Sequence, residues 1–217
     1  MELLKQALFT PIQLSWNGWA ILGYVTYDLP KRIIDLVLCV LISPFAILVI
    51  TIFAPFVTAD GGSLFFVQER VGKGGRRFQM YKIRTMLNGE VTGIGRFLRM
   101  FRLDELPQIW NIAWGQEIPW YLKLFMGDMS FVGPRPRPYF EDLALAAIVP
   151  GYLDRQGVIP GITGWAQIAV GRHDDDANKI RKTVFWEGLH LKYRNILVEY
   201  LILPPATAYI VIVGRGK

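Results

Sequence analysis

The chain contains one cysteine, Cys39, and two histidines among 217 residues. A lone cysteine excludes an internal disulfide and points to no oxidising compartment. The histidines, His173 and His190, have no partner spacing that would make a metal site. Acidic residues are the scarcer charge: 18 Asp and Glu stand against 24 Lys and Arg, a formal net charge of +6. Such an excess favours an anionic partner, either a membrane face or a nucleic acid. Base-stacking aromatics interleaved with Lys and Arg are missing; the aromatics cluster with apolar residues, so no nucleic-acid partner is expected. No repeat or low-complexity tract is evident, and no signal peptide. The long apolar run starts too late and has no small-residue cleavage pattern.

What the chain has in quantity is apolar surface. The hydrophobic fraction is 52%, and the mean hydropathy of +0.29 is high for a soluble protein and low for a multi-span transporter. The length fits one domain with a real core. Apolar content and basic charge together describe a protein seated on an anionic membrane face.

Residues 1–30 read as an N-terminal interfacial segment. Gln13, Ser15 and Asn17 interrupt it, and Trp16, Trp19, Tyr24 and Tyr27 are aromatics that favour a membrane–water interface; a helix packed on the protein's own surface is the other reading. Residues 31–58 form a second unit. Lys31, Arg32 and Asp35 lead into an uncharged run from Leu36 to Val57, long enough to cross a bilayer. Ser43-Pro44 lies in its middle, where Pro removes a backbone donor and kinks a helix. Positive residues flank both ends, Lys31 and Arg32 before, then Arg70, Lys73, Arg76 and Arg77 after. The positive-inside rule puts both flanks in the cytoplasm, which a re-entrant helix bent at Ser43-Pro44 satisfies. The commoner object is a Pro-kinked transmembrane helix.

Residues 59–217 make the third unit. Ser63 to Val71 and Arg77 to Thr85 alternate around Gly72-Lys73-Gly74-Gly75, a hairpin pattern. The Gly-rich turn either cradles phosphate or is only a turn. Lys82 and Arg84 share a strand face, to bind a diphosphate or to be solvated. A helix carrying Arg96, Arg99 and Arg102 along one side leads into Phe101-Arg102-Leu103-Asp104-Glu105-Leu106-Pro107-Gln108. Pro107 belongs in a first helical turn, which puts Asp104 at or near the N-cap. It is there either as a cap or as one of two carboxylates directed at a phosphorus atom and a metal.

In Gly133-Pro134-Arg135-Pro136-Arg137, prolines on both sides fix Arg135 in an extended backbone. This suits bidentate phosphate binding, or else a Pro-rich connector. Asp174-Asp175-Asp176 reads as a solvated acidic loop or a cation site. The apolar run Ile196 to Val213, interrupted by Glu199 and Pro204-Pro205, reads as another interfacial helix.

From Lys31 to the C-terminus the sequence resembles the bacterial sugar transferases, the monotopic polyprenyl-phosphate phosphoglycosyl transferases. The resemblance rests on the order and spacing of several pieces. These are Lys31-Arg32-Ile33-Ile34-Asp35, Ser43-Pro44, the segment Phe66 to Met86, Leu103-Asp104-Glu105-Leu106-Pro107-Gln108, Gly127-Asp128-Met129-Ser130 running on to Pro136, and Pro160-Gly161-Ile162-Thr163-Gly164-Trp165-Ala166-Gln167.

The resemblance implies a mostly helical α+β fold, membrane-associated and monotopic, with a re-entrant N-terminal helix, a small β-hairpin and interfacial amphipathic helices. It implies an active site on the cytoplasmic face of the bacterial inner membrane. The reaction would move a sugar-1-phosphate from a UDP-sugar to a polyprenyl (undecaprenyl) phosphate with Mg²⁺, as the first membrane step of a polysaccharide or glycoconjugate pathway. Asp104 and Glu105 match the family's catalytic pair. A carboxylate nucleophile would split the transfer into two displacements that each meet one substrate, so Asp104 is read as covalent nucleophile, with general base as the alternative, and Glu105 as Mg²⁺ ligand. Lys82, Arg84, Arg102, Arg135 and Arg137 are the phosphate-binding candidates. The rival function is a non-catalytic basic protein that binds the membrane surface.

The chain departs from the family pattern in several places. Trp114 to Phe125 looks inserted, and its Trp114, Trp120, Tyr121 and Leu124 suggest an added membrane contact. Ile159 replaces an expected Arg, and Glu187 and Glu199 stand where Asp is expected, differences that bear on sugar choice. The multi-span N-terminal region of larger members is not expected in this chain. The sugar, the pathway and the oligomeric state are not legible.

Overall fold

The computed structural model describes residues 24–116, 127–170 and 177–212. The apolar run forms one helix, α1 (Leu29–Val57), of 29 residues, entered through a π-helical turn at Tyr24–Asp28. Pro30 sits in its first turn, where a missing N–H costs nothing. The helix continues through Pro44, and Ser43 Oγ–H donates to the Cys39 carbonyl one turn back. Its buried residues, among them Arg32, Asp35, Cys39, Ala46, Val49 and Val57, fall at spacings of three, four, seven or eight positions and form one stripe. Ile33, Val37, Val40, Leu41, Phe45, Ile47, Leu48, Ile52 and Phe56 cover the rest and are exposed. A stripe of contact with bare apolar flanks is what a lipid-facing helix presents; water would penalise so large a patch.

The stripe lies against a small α+β body along its whole length. Cys39 and Ala46 pack with Phe78, Met80, Ile109, Ile112 and Met129. Val57 packs with Ile83 and Leu98 at the other end. Leu98 is fully buried, and its truncation to Ala is expected to cost about 2–5 kcal/mol.

The body holds three two-stranded ladders among the described residues, where the sequence suggested one hairpin. The expected hairpin is β1 (Phe65–Val71) antiparallel to β2 (Arg77–Ile83), with Phe66 opposite Lys82. A second, β3 (Met86–Leu87) with β4 (Glu90–Val91), turns on Asn88-Gly89, both at positive φ of 50° and 86°. Asn-Gly in a two-residue loop is the turn that matches strand twist. The third is a parallel pair, β5 (Ser130–Val132) with β6 (Gly161–Thr163). A Cβ on Gly161 would lie 2.1 Å from the Gly133 nitrogen, so glycine is required where these two loops meet.

The remaining helices are α2 (Gly93–Met100), capped by Thr92 accepting from Gly95 N–H at 2.9 Å, α3 (Gln108–Ala113), α4 (Tyr139–Ile148), α5 (Trp165–Val170), α6 (Ala177–Lys192) and α7 (Leu203–Ile212). A π-helical turn, Val198–Ile202, runs directly into α7 with Leu203 in helical φ/ψ, and Pro204-Pro205 follow that junction. Exposed Phe97, Met100 and Phe101 in and just after α2, and Leu201, Ile202 and Tyr209 in the C-terminal segment, add apolar surface to that of α1. Most of the 1–30 segment, most of the Trp114 to Phe125 insertion and Asp174-Asp175-Asp176 lie outside the described residues.

Candidate active site

Asp104 and Glu105 do not open a helix. They sit in a separate 3₁₀ turn, Leu103–Glu105, entered through Arg102 in the left-handed conformation (φ 58°). α2 therefore ends before Arg102: Arg96 and Arg99 remain on the helix, and Arg102 lies beyond it. Pro107, not Asp104, occupies the N-cap of α3, and no side chain caps it. Two short turns replace the single helix start because Arg102 reverses the chain and Pro107 admits no earlier i→i−4 bond.

Both carboxylates are buried and line a cavity of about 520 Å³ with Lys82, Arg84, Arg99, Arg102, Arg135, Phe66, Gln68, Thr85, Met86 and Gln167. That volume accommodates a ligand of cofactor size. Five cationic side chains against two carboxylates leave a positive excess, suited to a diphosphate.

Glu105 is the electrostatic centre. Its Oε1 lies 2.8 Å from Arg135 Nη2, 3.2 Å from Lys82 Nζ and 3.8 Å from Arg102 Nη1. Burial raises its pKa, but Arg135, Lys82 and Arg102 outweigh burial and hold the carboxyl far below the usual range. Asp104 moves the other way: burial first, then the Glu105 charge, raise its pKa, against Lys82, Arg99 and Arg102. Burial also lowers Lys82, countered by Glu105, while Glu105 raises Arg135. Neighbouring carboxylates are thus driven apart, Glu105 fixed as an anion and Asp104 destabilised as one. Divergent environments of this kind assign different chemical roles to two like groups.

The sequence candidates are not all gathered here. Lys82, Arg102, Asp104, Glu105 and Arg135 converge on the cavity. Arg84 lines it, but its guanidinium is committed to Asp60 (2.8 Å to Oδ2 and 2.5 Å to Oδ1), the Ser63 carbonyl (2.7 Å) and the Val57 carbonyl (2.6 Å). It ties the end of α1 to β2, and little of its donor capacity faces a phosphate. Arg137 is absent from the cavity lining. It is buried, its Nε without a hydrogen-bond partner among the described residues, and it acts on Glu187. A proline-rich backbone turns about 120° per residue, so residues i and i+2 diverge, unlike in a strand.

The Gly72-to-Gly75 turn joins the far end of the hairpin, where Val71 pairs with Arg77, about five residues from Lys82 and so roughly 16 Å away. It does not reach the cavity. Glu187 contacts Arg155 at 3.2 Å and Glu199 contacts Lys31 at 2.9 Å. Neither they nor Ile159 line the cavity, so any bearing on sugar choice is not by contact. Arg99, held by its Nε–H to Thr85 Oγ1 at 2.8 Å, and Gln68 and Gln167 were not anticipated as lining residues. Arg99 had a signal in the basic spacing and Gln167 in the piece from Pro160 that carries the resemblance; Gln68 had none of its own.

Among the described residues no group of three or more His, Cys, Asp or Glu side chains converges as a metal cage. The pair Asp104 and Glu105 nonetheless fits Mg²⁺, which commonly binds through one or two carboxylates and takes its other ligands from water and substrate phosphate.

A long helix with exposed apolar flanks packed on a small body, with a cationic cavity and two divergent carboxylates beside it, is the arrangement expected of a membrane-associated protein that handles phosphate. Residues 26–212 match the bacterial sugar transferase family, and the chain belongs to it. Over 180 residues, 73% of the chain and 40% of the relative, it is 32% identical to a UDP-N-acetylgalactosamine-undecaprenyl-phosphate N-acetylgalactosaminephosphotransferase of Aeromonas hydrophila. It is 31% identical over 192 residues to a UDP-glucose:undecaprenyl-phosphate glucose-1-phosphate transferase of Klebsiella pneumoniae, covering 80% of the chain and 38% of that protein. A Caulobacter vibrioides protein with the same activity in its name is 36% identical over 159 residues, 66% of the chain and 55% of the relative. The chain thus spans about two fifths of the length of the first two relatives.

Proposed function

We propose that this chain transfers a sugar-1-phosphate from a UDP-sugar to undecaprenyl or a related polyprenyl phosphate, releasing UMP, at the cytoplasmic face of the bacterial inner membrane. The observation that carries the reading is the buried Asp104 beside a Glu105 held by three cations, in a positive cavity next to a lipid-facing helix. The names of the relatives agree with it.

Arg135, Lys82 and Arg102 receive the diphosphate. An Asp104 oxygen attacks the phosphorus that bears the sugar; the bond from that phosphorus to the bridging oxygen breaks, and UMP departs with the electron pair. The sugar-phosphoryl-Asp104 ester is then attacked by a phosphate oxygen of the polyprenyl phosphate, and the Asp104–phosphorus bond breaks to restore the carboxylate. Each displacement brings one anionic substrate at a time to the cavity, so two phosphates never have to approach each other directly. Asp104 favours this role over general base, because a phosphate monoester near neutral pH has little proton to give. Glu105, with Asp104 beside it, would hold Mg²⁺, whose chemistry there would be neutralisation of the diphosphate charge, making UMP a better leaving group. One anhydride is exchanged for another, so positioning and electrostatics carry the catalysis.

The helix α1 is proposed to be re-entrant. Both its ends and its middle pack on one body, so opposite ends on opposite sides of a bilayer would require that body to cross as well. Cysteine labelling in a Cys39→Ser background tests this: residues 24–30 and 58–62 are expected to react from the same side. Reaction from opposite sides would make α1 a spanning helix.

The chemistry is tested with protein and UDP-sugar alone. Mass spectrometry is expected to find a sugar-phosphate adduct on the Asp104 peptide, with a burst of UMP. Asp104→Asn should lose both, and Asp154→Asn neither. Full turnover by Asp104→Asn, or intersecting-line kinetics without adduct, overturns the proposal.

A further inference from the structure

The first turns of α1 carry three charged side chains more deeply buried than those of the cavity: Lys31 at 6%, Arg32 at 5% and Asp35 at 3% exposure. None of them lines the cavity, and burying charge without a task is costly. Their partners are specific. Lys31 Nζ donates to the Val132 carbonyl (2.9 Å), to Glu199 Oε2 (2.9 Å) and to Tyr200 Oη (3.2 Å), which uses all three of its protons. Asp35 Oδ1 accepts from Phe131 N–H (3.1 Å) and Tyr200 O–H (2.6 Å). Both side chains therefore grip β5, three residues before Arg135.

Arg32 grips a different element. Its Nη1 donates to the Ile112 carbonyl and its Nη2 to the Ala113 carbonyl at 3.0 Å. These are the last carbonyls of α3, which starts three residues after Glu105. Gly127 closes the same corner; a Cβ there would stand 2.2 Å from the Ile112 oxygen and 2.8 Å from Arg32 Nη1. One helical turn thus holds the strand that delivers Arg135 and the helix that follows Asp104-Glu105. The two halves meet again at the 2.8 Å Arg135–Glu105 ion pair.

We infer that Lys31, Arg32 and Asp35 are positioning residues that set the distance between Arg135 and the Asp104–Glu105 pair, making the membrane helix part of the active-site frame. The inference rests on the function proposed above for its kinetic arm only. If Asp35 acts through Arg135, the two are coupled, and their mutations do not add. Asp35→Ala is expected to lower kcat/KM about tenfold in the wild-type background and less than about twofold in an Arg135→Ala background. Asp35→Asn keeps an acceptor oxygen and should restore most of the activity, which a role of the charge in topology would not allow.

Tyr200→Phe removes one hydrogen bond from the same oxygen and the longest of the three from Lys31, and leaves the Asp35 carboxylate in place. It should show the same non-additivity with smaller amplitude, and it decides the question if Asp35→Ala does not fold. A second readout needs no turnover. In Asp35→Ala or Tyr200→Phe, amide exchange should accelerate at Gly133, bonded to Thr163 O, and at Gly161, bonded to Pro134 O, but not at Arg96, bonded to Thr92 O. Multiplicative kinetic losses, or exchange unchanged at Gly133 and Gly161, overturn the inference. A wild-type protein that turns over no UDP-sugar overturns the proposed function instead, and exchange alone then judges the clamp.

Discussion

Arg135 presents one guanidinium nitrogen to Glu105 at 2.8 Å from a backbone held by proline on either side. Lysine in its place keeps the charge and loses the planar fork. Arg135→Lys is expected to lower kcat/KM for the nucleotide sugar about tenfold, and Arg135→Ala about a hundredfold or more. Wild-type steady-state kinetics in both would remove Arg135 from phosphate binding. At this scale the sequence was informative where chemistry is written in residue type. Asp104 and Glu105 were named through the family resemblance, since residue type alone left Asp104 a helix cap; Lys82, Arg102 and Arg135 were named as cations able to meet a phosphate. Arg84 and Arg137 fit the same criterion and answer to other partners, Asp60 for one and the Glu187 region for the other. Which way a long side chain turns is settled by neighbours distant in sequence, such as the 24-residue separation of Arg84 and Asp60.

The elements repeat that pattern. The period of β1 and β2 and the length of α1 follow from local composition and were readable. The Asn88-Gly89 hairpin carried a turn signal in plain sight and was missed, because its strands are two residues each and show no alternation. The separation of the Asp104-Glu105 turn from α3 was not readable, since a left-handed Arg102 has no signature in residue type. Arg84 offers a test at this scale. If it joins α1 to β2, Arg84→Gln should lower the thermal midpoint of the detergent-solubilised protein and leave KM for the UDP-sugar nearly unchanged. A large rise in KM at constant midpoint would return it to the substrate.

Across the whole molecule, the N-terminal end of α1 and the C-terminal segment are joined by a buried polar cluster. Glu199 accepts from Tyr27 and Lys31 and lies 3.6 Å from His190 Nε2. Burial pushes the His190 imidazole down to about 4, against the pull of Glu199. As pH falls, the unfolded chain takes up this proton first. The stability conferred by neutral His190 is therefore complete above about 6.5 and lost progressively towards about 4. Thermal melts across that window should show a loss of up to about 3 kcal/mol that His190→Gln flattens; an identical acid slope in the variant would assign the loss elsewhere.

The same join bears on how the protein would meet a bilayer. A freely spanning helix answers a thicker or thinner membrane by tilting. α1 is held at Lys31, Arg32 and Asp35, again at Cys39 and Ala46, and finally through Arg84 at its far end. Seated in lipid as proposed, it would have little freedom to rotate, and acyl-chain packing around one leaflet, more than the thickness of the hydrocarbon slab, would become the mechanical variable to which this chain is exposed.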